Sequence, residues 1–168
     1  MRALSTVLPF RDELGIMTDR PLGTCRKIGQ VVFHPTAANV LAAASGDHVI
    51  KLWDVEAAQP RVSLTGFGDT IQDLSFDWTG STLVASCRDR KLRTFDTRKG
   101  GEAVQVVDGH GGIKGSRAVW CGSLDRIITT GFSKMSDRQM FLWDSKNLSA
   151  PLSECRAGLT RKRARPSC

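Results

Sequence analysis

HVIKLWDVE, residues 48–56, closes a β-rich apolar run on the dipeptide Trp53-Asp54. One Trp-Asp says little, but the chain repeats it. RQMFLWDSK carries Trp143-Asp144 in the same setting, and KLRTFDTRK carries Phe95-Asp96 between the two. The aromatics stand 42 and 48 residues apart, near the roughly 40–45 residues of one WD-type propeller blade. The register is tighter than the interval. An Asp lies six positions before each aromatic (Asp47, Asp89, Asp137), and an apolar residue lies three before it (Ile50, Leu92, Met140).

Two further strand-like runs precede each aromatic-Asp pair. They are GQVVFHPT and NVLAAAS, then IQDLSFDWTG and STLVASC, then SRAVWCGS and RIITTGF. Pro35, Gly46-Asp47, Thr79-Gly80 and Asp108-Gly109 punctuate them as turns. Short runs that are often apolar on both faces suit sheets stacked face to face. The pattern therefore predicts an all-β, WD-repeat β-propeller architecture with about three blades, at residues 28–66, 67–109 and 110–154. Residues 1–27 read as an irregular segment whose one candidate strand lies near STVLPF, and residues 155–168 as a basic disordered tail. Each turn Asp is expected to accept backbone N–H groups and hold its hairpin. Each aromatic is expected to fill the space between blades. Gly109-His110 precedes the third unit, so His110, Thr129 or Thr130, Asp137 and Trp143 form a candidate structural network whose bond order stays open.

Composition fits a globular chain, with 40% hydrophobic and 24% charged residues. No apolar run approaches the roughly 18 residues of a membrane span, and MRALSTVLPFRDELG lacks the long apolar segment of a secretory signal. The five cysteines are widely spaced, with no C-x-x-C and no Cys/His pair at zinc spacing, so reduced thiols and no metal site are expected. The net charge of +7 is unevenly placed. Arg156, Arg161, Lys162, Arg163 and Arg165 account for five, which leaves +2 for the first 155 residues.

No catalytic constellation stands out. His34, His48 and His110 are isolated, and neither Ser45 nor Ser86 has a His at a spacing that suggests activation. GHGGIKGS, residues 109–116, puts its lysine before the last glycine and leads into a strand, so it reads as an inter-blade loop and not a phosphate loop. No enzyme activity, cofactor or small-molecule substrate is expected. Arg88 and Arg90 flank the turn Asp89, with Lys91 and Arg93 following, and Lys134 and Arg138 occupy the equivalent turn of the third unit. In a WD-type blade these turns share one face of the disc. Arg88, Arg90, Lys91, Lys134 and Arg138 are thus candidate partner-binding residues for an acidic protein, although the plainer reading is a solvated turn. Arg98 and Lys99 fall on the opposite face. TRKRARP in the tail also reads as an import signal or nucleic-acid patch, but no aromatic is interleaved for base stacking, so nucleic acid is not an expected partner.

Three stretches resemble the coronin family. FHPTAANVL (Phe33–Leu41), CRDRKLRTFDTRKG (Cys87–Gly100) and IITTGFSKMSDRQMFLWDSKN (Ile127–Asn147) appear in that family's order and cover about residues 28–150. The first and third lean toward the family's tandem-propeller type. The resemblance implies a seven-bladed propeller that binds or regulates actin filaments, cytoplasmic and cytoskeleton-associated. For the tandem-propeller type it implies peripheral Golgi or trans-Golgi association and Golgi-to-endosome traffic. Seven blades need about 300 residues. The chain is therefore expected to be partial: truncated, alternatively spliced, or from an incomplete gene model. The third unit's fourth strand should follow Pro151, where LSECRAGL instead leads into the basic tail. Alternatives are a generic WD-repeat adaptor of a ubiquitin-ligase or chromatin complex, or a non-functional truncated isoform.

Overall fold

The structure, a computed structural model, describes residues 27–157. Those residues form twelve strands and no helix. β1 (Ile28–Phe33), β2 (Val40–Ser45), β3 (Ile50–Asp54) and β4 (Gln59–Leu64) make the first sheet. β5 (Ile71–Phe76), β6 (Thr82–Cys87), β7 (Lys91–Asp96) and β8 (Gln105–Asp108) make the second. β9 (Arg117–Trp120), β10 (Arg126–Phe132), β11 (Arg138–Asp144) and β12 (Ser153–Ala157) make the third. Each is a four-stranded antiparallel meander in chain order, called here blades 1, 2 and 3.

The blades stack through their first strands. β5 lies between β1 and β9. Strand alternation then decides which side chains meet. Phe95 pairs across the sheet with Leu83, and Leu83 with Phe76. All three point at blade 1, in one cluster with Ala42, Ala44, Ile50 and Leu52. Trp143 pairs with Ile127, and Ile127 with Trp120. These point at blade 2 and cluster with Val84 and Leu92. Each aromatic of the repeat thus faces the preceding blade. Trp53 obeys the same rule: it pairs with Leu41 and packs with Ala43 on the face turned away from blade 2.

Blade 2 is covered on both faces, and from Leu83 to Cys87 its second strand is entirely buried. The expected inter-blade role of the aromatics is visible in Phe95 and Trp143, each essentially sealed from solvent. Burying one such side chain contributes about 1.5–3 kcal/mol.

One boundary differs from expectation. β12 completes blade 3 and runs to Ala157, three residues into the stretch read as a disordered tail. SECRA has no strand-like side-chain pattern. Pairing is a backbone matter, however, and β11 has a row of N–H and C=O groups that β12 satisfies. The candidate strand near STVLPF and the rest of the basic tail lie outside the described residues.

Candidate protein-docking rim

The turns joining second to third strands, and the loops joining one blade to the next, gather along one rim. In blade 2, Cys87 accepts the Arg90 N–H to close the turn, and Arg90 sits at φ 67°. His48 takes the same place in blade 1 at φ 65°. A non-glycine in this left-handed region is strained by roughly 1 kcal/mol. Asp89 holds the blade 2 turn. It accepts the Lys91 N–H at 3.0 Å, and Arg93 forks onto both its oxygens at 3.1 and 2.6 Å. Burial works to raise the Asp89 pKa, but the Arg93 guanidinium and the Lys91 N–H outweigh it and hold the carboxyl at about 2.

Arg93 therefore does not belong to the basic rim. It is buried, with its guanidinium carbon 5.2 Å from the centre of the Phe67 ring. The rim cations are Arg88, Arg90 and Lys91 on blade 2 and Lys134 and Arg138 on blade 3, all of them exposed.

The glycine-rich loop after β8 joins the two turns. Gly109 donates its N–H to the Arg90 carbonyl at 2.7 Å, and Gly112 donates to the Phe132 carbonyl at 2.7 Å. A Cβ on Gly111 would lie 3.3 Å from Lys134 Cγ, and one on Gly112 only 2.6 Å from the Phe132 carbonyl oxygen. Glycine is needed where backbone approaches backbone this closely. The loop adds a cation of its own, Lys114, whose Nζ sits 4.9 Å from the centre of the Phe132 ring. Arg90, this loop and Lys134 thus form one continuous surface. Arg138 stands at its end, where it also lines a groove of about 470 Å³ on the outer face of blade 3.

The network around His110 holds three of its four expected members. His110 Nε2 meets Thr129 Oγ1 at 3.0 Å, and Trp143 Nε1 donates to the same oxygen at 2.9 Å. Asp137 is exposed and bonds Ser133 instead, because the turn from Phe132 to Arg138 is longer than its counterparts and carries Asp137 outward. His110 Nδ1 has no partner among the described residues. Its ring stacks on Phe141 at 4.3 Å, and Gly131 backs it so closely that a Cβ there would lie 2.4 Å from Cγ. Burial pushes the His110 pKa down, against weaker upward contributions from Thr129, Gln139 and Glu154.

The turn Asps do not share one role. Asp89 caps backbone as expected, while Asp47 takes the Ser45 hydroxyl and Asp137 the Ser133 hydroxyl. Uniform capping belongs to the second residue of each aromatic-Asp pair. Asp54 accepts the Ala57 N–H at 3.1 Å, Asp96 that of Arg98 at 2.9 Å, and Asp144 that of Lys146 at 3.0 Å.

Sequence reasoning missed the polar joints between blades. Asp73 Oδ2 accepts the Ala118 N–H at 3.0 Å, while its Oδ1 meets Gln30 Nε2 at 3.2 Å and the Arg117 guanidinium at 3.3 Å. One carboxylate therefore ties blades 1, 2 and 3 together. Gln72 Oε1 accepts both the N–H and the hydroxyl of Ser116, which seats the glycine-rich loop. The available signal was an Asp inside the apolar run IQDLSF. On the opposite face, His34 Nδ1 accepts the Ala37 N–H at 3.0 Å, so Nε2 donates to the Gly80 carbonyl at 3.1 Å. His34 is a joint between blades 1 and 2. Among the described residues no group of three His, Cys, Asp or Glu side chains is placed to hold a metal ion.

Comparison with known proteins agrees with this architecture. The family described as WD domain, G-beta repeat matches residues 20–54 and 58–96. The chain is 53% identical over 130 residues to the Coronin-like protein crn1 of Schizosaccharomyces pombe, covering 77% of this chain and 21% of that protein. It is 36% identical over 138 residues to Homo sapiens Coronin-2A, covering 79% and 26%, and 38% identical over 121 residues to Bos taurus Coronin-7, covering 72% and 13%. The crystal structure of the WD40 domain from Toxoplasma gondii coronin aligns with a TM-score of 0.74 at 26% identity, covering 80% of this chain and 35% of that one. The chain spans 21% of the fission-yeast relative's length and 13% of bovine Coronin-7. Three meander blades with aromatic-Asp pairs in register, matched over most of their length by coronins, place this chain in the coronin family of WD-repeat proteins.

Proposed function

We propose that this chain is a non-enzymatic docking module that binds actin filaments through its basic rim. The observation that carries the reading is the weld between two charged turns: Gly109 on the Arg90 carbonyl and Gly111 against Lys134. Without that loop the charges would belong to separate solvated turns. With it, Arg88, Arg90, Lys91, Lys114 and Lys134 present one rigid cationic face. Such a face steers an acidic partner and fixes its register. The module's location would then be cytoplasmic and cytoskeletal.

Co-sedimentation with actin filaments over a salt series tests this. Binding should weaken steadily as salt rises, and a chain with Arg88→Glu, Arg90→Glu and Lys134→Glu should lose at least about tenfold in affinity. Equal binding by the reversed-charge chain would refute the rim as the contact. The tandem-propeller type, with its Golgi-to-endosome traffic, ranks second. Identity to bovine Coronin-7 is 38%, against 53% to the fission-yeast coronin-like protein.

A further inference from the structure

A cleft of about 320 Å³ opens at the joint between blades 1 and 2, on the face opposite the basic rim. These two blades supply all of its walls. Its apolar lining is Val40, Leu52, Trp53 and Val62, and of these Leu52 and Trp53 are buried. Arg61 and Arg98 also line it and are exposed, so the apolar part is deep and the guanidinium groups stand at the mouth. No carboxylate is among the lining residues.

The joint between blades 2 and 3 is built differently at the matching place. Leu148, five residues after Trp143, is sealed from solvent in one cluster with Val84 and Ile127. Five residues after Phe95 stands Gly100, at φ 68°. A Cβ there would lie 2.7 Å from Val62 Cγ1. Blade 2 thus inserts no side chain where blade 3 inserts a leucine.

The walls of the cleft are preset, and their hydrogen-bonding capacity is unevenly used. The Gly80 carbonyl accepts from His34 Nε2 at 3.1 Å and from the Thr97 hydroxyl at 2.8 Å. The Thr79 carbonyl accepts the Thr36 hydroxyl at 3.0 Å, and the Thr79 and Ser81 hydroxyls donate to Asp77. The hydroxyl hydrogens are therefore committed inside the protein. The donors left over are guanidinium N–H groups. Arg61 commits Nε and Nη2 to Asp54, at 3.2 and 2.8 Å, and keeps Nη1. The Arg98 side chain has no hydrogen bond or ion pair among the described residues; its backbone N–H alone is engaged, on Asp96. With Asp54 compensating Arg61, one positive charge is left at the mouth.

We propose that this cleft binds a monocarboxylate carried on a short apolar stem. The stem fills the deep part against Leu52 and Val62, and the carboxylate takes the Arg98 fork with Arg61 Nη1 beside it. One spare cation matches one carboxylate and leaves the second charge of a phosphate uncompensated. The volume is at the small end of ligand sites, which suits such a stem and excludes a large cofactor. A free acid and a glutamate side chain of a partner protein present the same group.

Backbone amide shifts of Gly80, Thr97 and Arg98 in the nitrogen-15-labelled 168-residue chain test this. The probes are hexanoate and, separately, the blocked tripeptide acetyl-Ala-Glu-Ala-amide. Hexanoate should shift these amides saturably, with a Kd of roughly millimolar. Hexanamide, the same stem without the charge, should bind at least about tenfold more weakly. Arg98→Gln should weaken hexanoate about tenfold. Lys99→Gln, at an exposed neighbour outside the cleft, should leave the Kd within about twofold. Circular dichroism confirms that both variants fold. Tighter binding of the tripeptide than of hexanoate assigns the site to a protein side chain, and the reverse assigns it to a free acid. Shifts that stay linear with both probes overturn the proposal. So does hexanamide binding as well as hexanoate, an undiminished Arg98→Gln chain, or an equal loss in the two variants.

Discussion

Replacing Asp73 by alanine should loosen all three blades at once. Its carboxylate takes the N–H of Ala118, a fully buried residue, and is met by Gln30 from one side and Arg117 from the other. Alanine leaves the Ala118 N–H without an acceptor, which costs about 1–3 kcal/mol. It also removes a hydrogen bond to a charged group, worth about 1.5–3 kcal/mol where buried and less here because Arg117 is largely exposed. We expect a loss of about 2–4 kcal/mol. With a urea slope of about 2 kcal/mol/M, the midpoint should fall by about 1–2 M. Tryptophan fluorescence and circular dichroism should be followed together, since coincident curves license the two-state analysis. Asp73→Asn keeps one oxygen for Ala118 but turns an amide toward the Gln30 donor, so it should lose about 1–2 kcal/mol. A loss below about 0.5 kcal/mol for Asp73→Ala, or equal losses for the two variants, would refute the three-blade joint.

Gly131→Ala drives a methyl into the His110 ring and should cost about 1–3 kcal/mol, read as a lowered melting temperature; an unchanged value would show that the ring moves freely. Arg90→Gly relieves a left-handed residue and should add about 0.5–1 kcal/mol, a rise of about 1–4 °C, while weakening actin co-sedimentation; stronger stability with unchanged binding would remove Arg90 from the rim. Burial lowers the His110 pKa in the folded chain, so the unfolded chain binds the proton more readily. The stability tied to neutral His110 is full above about pH 6.5 and is lost as pH falls below it toward the depressed folded value. Urea midpoints between about pH 7.5 and 5 should fall with pH for the parent and less for His110→Gln; parallel curves would refute this.

The repeat was legible because its signal is local. The aromatic, the Asp six residues before it and the apolar residue between them lie within one hairpin, and the hairpins formed where those spacings put them. Asp73 was not legible because its partners lie 43 to 45 residues away along the chain, and only the stacking of blades brings them together. Arg93 misled for another reason. It sits in a run of charges that reads as surface, yet it lies two residues before Phe95 and so shares its inward face. The alternation held the answer, and the composition hid it. Asp137 keeps the six-residue offset but follows a longer turn, so spacing alone placed it in a network that it does not join. The strand β12 carries no side-chain pattern at all, because an edge strand is held by its partner's backbone.

The two halves of the rim are held in different ways, and this bears on the proposed docking. In blade 2 a nearly buried guanidinium is forked onto Asp89 beneath the turn. Such a pair is a poor source of net stability, because desolvating both ions offsets most of their attraction. It does fix the turn: Asp89 also caps Lys91, and Gly68 points its N–H at the same carboxylate. Arg88 and Arg90 therefore project from a preset backbone, which leaves only their exposed side chains to be ordered by a partner. In blade 3 the corresponding turn rests on Ser133 and Asp137, both part of a surface hydrogen-bond cluster. Lys134 packs against Gly111 of the glycine-rich loop, and Arg138 stands exposed at the end of the rim. The blade 2 turn is thus set by a buried ion pair, Arg93–Asp89, and the blade 3 turn by surface hydrogen bonds around Ser133, and that pair is the structural cause of the asymmetry.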